Sequence, residues 1–376
     1  MISENTNAAD RPARSGPAWF DDATEAPATL RSRDSVDGER PPEVLVVGLG
    51  ASGLEAVRWL ARRGVDVMGI DAGGVAAGAA GANGGFLLAG LAMFHHVAVA
   101  TLGREAAVGW YRRTLDELDQ LAEEEPTFDR RGSRRTAASD EERTDIAAHL
   151  AALRADGLPA EADGDGGLLV PGDGVVHPVD RCRRLAREAV DAGARLVAPA
   201  PVRAVVPGRA LLADDAGSIE APRILLAVDG GLLGLVPSLR GSVRGARLQM
   251  LATDPDEGVE LRTPRYHRLG LDYVHQRPDG RVLLGGGRDI GGAREQDAPP
   301  EPSQPVQRHL DGWLRSLGVT AAVTHRWAAQ VSFTQDLLPI DAQVMPGVHA
   351  VGAYSGHGNV LGGLLARQAA ARALAS

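Results

Sequence analysis

The chain of 376 residues contains no lysine; all 40 of its basic residues are arginine. This excludes Schiff-base chemistry with pyridoxal phosphate, a phosphate-loop lysine and a lysine general base. Cysteine is nearly absent too. The one thiol, Cys182, permits no internal disulfide and fits a reducing, cytoplasmic setting. Its place in the helix-like stretch "HPVDRCRRLAREAV" makes it a structural thiol rather than a nucleophile. No apolar run approaches the roughly 18 residues of a membrane helix, and the polar N-terminus lacks the apolar segment of a secretory signal. The net charge of −9 offers no basic surface to a nucleic acid. Residues 1–41 are expected to be a separate N-terminal segment. Its first fifteen or so residues are expected to be disordered, with Trp19 and Phe20 lying across the folded body.

Glycine, in contrast, is abundant, with 47 residues, which suits tight turns and close approach of backbone to a ligand. The most informative glycines lie in "PPEVLVVGLGASGLEAVRWLARRGVDVMGIDAGG", residues 41–74. Residues 43–47 form a short, mostly Val and Leu run suited to a strand buried on both faces. It leads into Gly48-Leu49-Gly50-Ala51-Ser52-Gly53, the G-x-G-x-x-G pattern, and then into a helix-period segment that Gly64 ends. Residues 65–70 are a second strand, with Asp71 at its end. Gly48 allows the tight turn, Gly50 lets the backbone approach a pyrophosphate, and Gly53 lets the helix pack close on the strand. The helix start, with Ala51 and Ser52, supplies N–H donors and a positive dipole end. Asp71, about twenty residues on, is placed to accept hydrogen bonds from a ribose. The pattern specifies a dinucleotide without deciding between NAD and FAD, because both carry an adenosine ribose.

Beyond it, "AGGVAAGAAGANGGFLLAG" is a long loop of small residues whose Asn83-Gly84-Gly85 turn feeds ordered structure. Residues 104–125 and 141–156 have helical period, and "DRRGSRRTAASDEER" reads as a solvated turn and helix start. Residues 166–199 offer a strand, a turn, an amphipathic helix and a strand. Residues 201–228 offer three short strands. Asp279-Gly280 marks a hairpin, and Tyr273, His275 and Arg277 in its first run share one face. Near the C-terminus, "GVHAVGAY", the turn "SGHGN" and a helix form a second strand–turn–helix unit, whose helix N-terminus is another site for an anion or a carbonyl oxygen.

Seven separated blocks, in order across residues 42–374, carry a resemblance. They are "VLVVGLGASGLEAVRWLARRGVDVMGID", "GAAGANGGF", "GVVHPVDRCRRLAREAVDAGARL", "ILLAVDGG", "LDYVHQRPDGRVLLGGGRD", "TQDLLPID" and "GVHAVGAYSGHGNVLGGLLARQAAARAL". The chain resembles the D-amino-acid oxidase family of FAD-dependent oxidoreductases. Within it, the chain is similar to glycine and sarcosine oxidases and, above all, to gamma-glutamylputrescine oxidase-like proteins. The resemblance implies an α/β fold: a FAD-binding Rossmann-type (βαβ) domain with a second, mostly antiparallel-sheet substrate domain. The FAD domain would comprise 42–100, 166–238 and 330–376, and the substrate domain 101–165 and 239–329.

By the same resemblance, the first block holds the ADP half of a non-covalent FAD, and Val202 lies on the strand touching adenine. Asn83, Gly84 and Gly85 lie beside the isoalloxazine ring, and Gly356, His357, Gly358, Asn359 and Val360 bring N–H groups to its pyrimidine edge. The implied reaction oxidises the C–N bond of an amine or amino acid by hydride transfer to the flavin, and water then hydrolyses the imine. Oxygen or another acceptor takes the electrons, and no metal takes part. Tyr273 and Arg288 are the candidates for substrate contact, Arg288 as a bidentate partner of a carboxylate or else as an ion-pair partner of Asp289. His357 either stabilises charge on the reduced ring or is a structural histidine. Trp327 and Asp336 are expected as structural supports.

The sequence departs from the family pattern in several places. Ala80 and Ala82 stand where serine and arginine are usual, and Asp229 stands where a small polar residue or asparagine is usual. No position matches the family's covalent flavin links. The missing lysine tilts the reading from oxidase toward dehydrogenase. A nicotinamide-dependent dehydrogenase or a degenerate, non-catalytic flavoprotein are the competing readings.

Overall fold

The computed structural model describes residues 13–25, 30–33, 40–213 and 217–375. Two sheets dominate it. The strands Val44–Val47, Val67–Ile70, Arg195–Val197, Arg223–Leu226 and Val348–Gly352 run parallel, and Ile340–Met345 adds an antiparallel edge. Both faces of this six-stranded sheet are covered, so the inner strands are mostly apolar, and Val44–Val47 and Val67–Ile70 are buried throughout. One face meets the helices Ala51–Ala61, Pro178–Asp191 and Gly358–Ala375. The parallel arrangement brings four strand ends, at Gly48, Asp71, Val228 and Ala353, to the same edge. In such sheets, ligands bind outside the carboxyl ends of the strands.

The first and last helices pack on each other although they are about three hundred residues apart in sequence. Arg367 of the last helix reaches Glu55 of the first at 2.8 Å and pairs with Glu117 of the helix Arg104–Glu124. Cys182 is fully buried, and burial pushes its thiol up to about 12. It is a core side chain, as its helical setting implied.

The second sheet has nine strands, in the order Arg14–Ser15, Val323–Thr334, Val243–Pro255, Arg281–Gly286, Asp272–Gln276, Arg265–His267, Ser133–Thr136, Gly167–Val170 and Glu161–Asp163. It is mostly antiparallel. Gly167–Val170 and the whole of Val323–Thr334 pair within it, so segment edges at 166 and 330 divide strands away from their own sheet. The run 201–228 forms four strands rather than three: Val202–Val206, Arg209–Leu212 and Ser218–Glu220 make a small antiparallel sheet of their own, and Arg223–Leu226 joins the parallel sheet.

The larger correction concerns "DRRGSRRTAASDEER". Its middle is the strand Ser133–Thr136, with Ser133 and Arg135 buried. The expected disorder of the first fifteen residues falls mostly outside the described residues. Within them, Arg14–Ser15 pairs with Val323–Thr334, and Trp19 is only 2% exposed.

A side chain at Gly53 would collide with the Gly48 carbonyl across the strand–helix contact. Gly53→Ala is therefore expected to destabilise the protein by about 2–3 kcal/mol, read as a lowered Tm in thermal unfolding.

Candidate functional site

One cavity of about 1220 Å³ lies between the two sheets. It begins at the carboxyl edge of the parallel sheet, where Gly48 has φ +111° and tolerates no Cβ against the Ala227 carbonyl. Gly50 precedes the helix Ala51–Ala61 with no side-chain cap, so the first N–H groups of that helix have no side-chain acceptor. The Asp71 carboxylate accepts from the backbone N–H groups of Leu49 (2.8 Å), Gly73 (2.8 Å) and Gly74 (2.9 Å). It therefore shapes the glycine turn, and it also lines the cavity with capacity to accept further bonds. Val202 and Arg203 line the same end.

The middle of the cavity is built around residues 79–86. The Asn83 side chain donates to the carbonyls of Ala79 (3.1 Å) and Ala80 (2.8 Å) and accepts from the Gly85 N–H (2.7 Å). It also accepts from the Asn359 amide at 2.9 Å, while Asn359 donates to the Phe86 carbonyl at 3.0 Å. Three neighbouring carbonyls are held from the other side. Trp327 Nε1 donates to Ala82 O (2.7 Å) and Trp19 Nε1 to Asn83 O (2.8 Å), and His275 Nε2 lies 3.0 Å from Gly84 O. Gly84 and Gly285 leave room for Tyr273, whose ring a Cβ at either position would strike.

The cavity floor is one rung of the nine-stranded sheet. In register, Arg135 pairs with Tyr266, Tyr266 with Tyr273, Tyr273 with Gly285, Gly285 with Met250, and Met250 with Trp327. Residues directly opposite share a face, and Arg135, Tyr266, Tyr273, Met250 and Trp327 all line the cavity. The Tyr266 and Tyr273 rings stack at 5.9 Å. Burial raises both phenols, Tyr266 to about 12 and Tyr273 higher still, so both are neutral donors at neutral pH.

At the C-terminal turn, Ala353 and Ser355 adopt positive φ (50° and 53°). Ser355 Oγ and His357 Nδ1 are buried without a hydrogen-bond partner, and both residues line the cavity beside Gly356, Gly358 and Asn359. Burial, aided by the Arg135 charge, lowers His357 to about 3. In these surroundings it is held as a neutral imidazole. His149 and His275 are likewise lowered by burial, to about 2 and about 3.

Of the residues expected at the site, Gly48, Gly50, Ala51, Ser52, Asp71, Asn83, Gly84, Val202, Tyr273, Arg288, Gly356, His357, Gly358 and Asn359 line this one cavity. Gly53, Gly85 and Val360 lie behind it. Gly53 serves the helix–strand contact, Gly85 has φ +76° with no room for a Cβ beside the Val176 carbonyl, and Val360 packs into a neighbouring core cluster. Asp336 is exposed and accepts from the Leu338 N–H (3.1 Å); it caps a turn and supports nothing in the cavity. Asp289 pairs with Arg268, and Arg288 makes no ion pair with Asp289 or with another acid among the described residues. Sequence reasoning missed Arg135, Tyr266 and Ser355. Arg135 and Tyr266 share a face only through strand register, and no local pattern signals that.

The site suits FAD on its own geometry. It has glycine turns that a Cβ would fill, uncapped helix N–H groups, and buried polar atoms without partners facing an elongated cavity. The FAD dependent oxidoreductase (DAO) family model matches residues 43–372. The chain belongs to that family. This flavoprotein is 28% identical over 384 residues to a probable oxidoreductase, OrdL, of Rhizobium meliloti (strain 1021), covering 93% of this chain and 86% of the relative. Its fold is similar to glycine oxidase from Geobacillus kaustophilus (TM-score 0.70, 19% identity, 88% of this chain and 95% of that one). It is also similar to L-proline dehydrogenase from P. horikoshii (TM-score 0.70, 16% identity, 88% and 92%). No helix among the described residues is long and apolar enough to cross a membrane.

Asp229, one of the family departures, is half-buried at the cavity wall with φ +35°, where three segments meet. Its carboxyl accepts from Ser332 N (3.2 Å) and Ala353 N (2.9 Å). Burial raises its pKa from 3.8 to about 6 against the opposing pull of those N–H groups. The folded protein thus holds this proton more tightly than the unfolded chain does. The resulting stabilisation is complete below about pH 4 and is lost as pH rises through about 6. Relative to Asp229→Asn, the wild type should lose up to about 3 kcal/mol of unfolding free energy between pH 4 and 7, measured by denaturant titration of both proteins across that range.

Proposed function

We propose that this FAD-dependent oxidoreductase oxidises the C–N bond of an amine or amino acid. The observation that carries the reading is Arg288. Its guanidinium faces the cavity over the Phe333 ring at 4.3 Å, and it has no carboxylate partner among the described residues. Tyr273 stands within its electrostatic reach. Arg288 can hold a substrate carboxylate in bidentate fashion and turn the amine-bearing carbon toward the Asn83–Gly84 loop. FAD, when bound, supplies the two-electron acceptor for this oxidation.

The chain's own groups do the positioning. Phe86, Tyr266, Tyr273, Phe333 and Trp327 enclose the space in rings and exclude water. The phenols, being neutral, donate hydrogen bonds without adding charge. The N–H groups that open the helix Gly358–Ala375, at the cavity wall by Gly358 and Asn359, would supply donors and a positive dipole end to negative charge on a bound reduced flavin. Ser355 Oγ is the further donor available there. An imine released into water hydrolyses without a protein base. That glycine oxidase and L-proline dehydrogenase share the fold supports an amino-acid substrate, with oxygen or another acceptor as the final oxidant.

The purified protein should be yellow, and a carboxylate-bearing amine should bleach its visible flavin band anaerobically. Arg288→Met should lower kcat/KM for such an amine by about 10- to 100-fold, mainly through KM. A colourless protein that refuses added FAD would end the reading.

A further inference from the structure

We propose that Arg135 is a second carboxylate-binding residue of the substrate site, so that the substrate is a dicarboxylate with one acid on Arg288 and the other on Arg135. The inference rests on the amine-oxidising reading above, and it specifies which class of amine the site takes.

Arg135 is 9% exposed, yet it lines the cavity and has no ion-pair partner among the described residues. Its Nε is buried with no hydrogen-bond partner at all. A guanidinium withdrawn from water without a counter-ion is costly, and proteins pair such groups. This fold does so elsewhere: Arg58 meets Glu55, Glu124 and Glu188, and Arg247 meets Glu295. What surrounds Arg135 steadies the cation without neutralising it. Its guanidinium stands over the Tyr266 ring at 5.1 Å. The buried Asp173 feels its charge but makes no ion pair with it; its carboxylate accepts from Ala89 N (2.7 Å) and Ser133 Oγ (2.6 Å) instead. Asp145, which also lines the cavity, is held by His96 at 2.9 Å. Three cavity-lining arginines have no ion pair among the described residues. Arg203 donates to the Leu212 carbonyl at the glycine-turn end, whereas Arg135 and Arg288 flank the tyrosine floor.

The strand order sets their spacing. Arg135 lies on Ser133–Thr136, and its register line crosses three strands to Gly285, about 14 Å away. Arg288 stands three residues beyond Gly285, past the left-handed turn at Gly287. Arginine side chains reaching inward would narrow that gap to the span of a small dicarboxylate. The stacked Tyr266 and Tyr273 rings lie between them as a floor for the carbon chain. Arg135 takes no part in the bond changes; it adds charge-assisted hydrogen bonds to a group remote from the reacting carbon.

The test uses flavin-loaded protein and calorimetric titration with glutarate and with its monoamide, which are nearly isosteric and differ by one charge. Glutarate should bind at least about 10-fold more tightly. In both Arg135→Gln and Arg135→Met, the ratio of the two affinities should collapse toward one. Flavin content and thermal melting report whether each variant is folded, and equal binding of the two ligands to the wild type counts against the proposal whether or not either variant folds. Equal binding of the two ligands to the wild type overturns the proposal, and so does a glutarate preference that survives in either folded variant. The amine reading is tested separately, by anaerobic bleaching with glutamate and with glutamine. Bleaching by both with equal affinity upholds the oxidation and removes the second carboxylate. A glutarate preference with no bleaching by any amine upholds the Arg135 contact and removes the amine.

Discussion

The hold on residues 79–86 is the constraint on which the rest of the site depends. A stretch of alanine and glycine has almost no side chains with which to fix its own path, so its backbone must be fixed from outside. Asn83 gathers the inner side and joins Asn359, linking the front of the chain to its last helix. Trp327, Trp19 and His275 take three neighbouring carbonyls from the outer side. The two tryptophans and the histidine come from different segments, so the loop is right only when both sheets and the N-terminal segment are in place. Each of these donors holds a backbone carbonyl of the loop, so losing one would strand a buried carbonyl.

That arrangement also accounts for the altered loop. Ala80 and Ala82 bring no charge or hydroxyl of their own. The Ala80 carbonyl takes the Asn83 amide, and the Ala82 carbonyl takes the Trp327 indole. Trp19 adds a contact from residues that precede the family match at 43–372. Arg277 of the Asp272–Gln276 hairpin lies over the Trp19 ring at 5.3 Å and pairs with Asp22, fastening that segment to the sheet. The loop's order therefore rests on tertiary partners.

The charge pattern of the cavity follows from burial in the same way. Its histidines are neutral because they have been taken out of water without a close acid. Its phenols are neutral because burial penalises phenolate. Arginine alone keeps its charge in such surroundings, so the cations able to meet an anionic ligand here are guanidiniums.

The sequence by itself determined the nucleotide-binding half. The G-x-G-x-x-G turn, Asp71, the Asn83-Gly84 turn and the C-terminal strand–turn–helix are local patterns, each imposed by backbone geometry within a few residues, and these elements fall where the spacing put them. The hairpin at Asp279-Gly280 and the shared face of Tyr273, His275 and Arg277 were legible for the same reason, because strand alternation has a period of two. The opposite wall of the cavity depends on long-range pairing. Arg135 sits in a charged run that reads as a solvated turn, and it becomes a cavity residue because its strand pairs in parallel with Arg265–His267, far away in sequence. Asp336 failed the other way: near the site in sequence, it lies outside the cavity in space. Sheet register and the burial of charge are properties of long-range pairing, and one strand's sequence does not contain its partner.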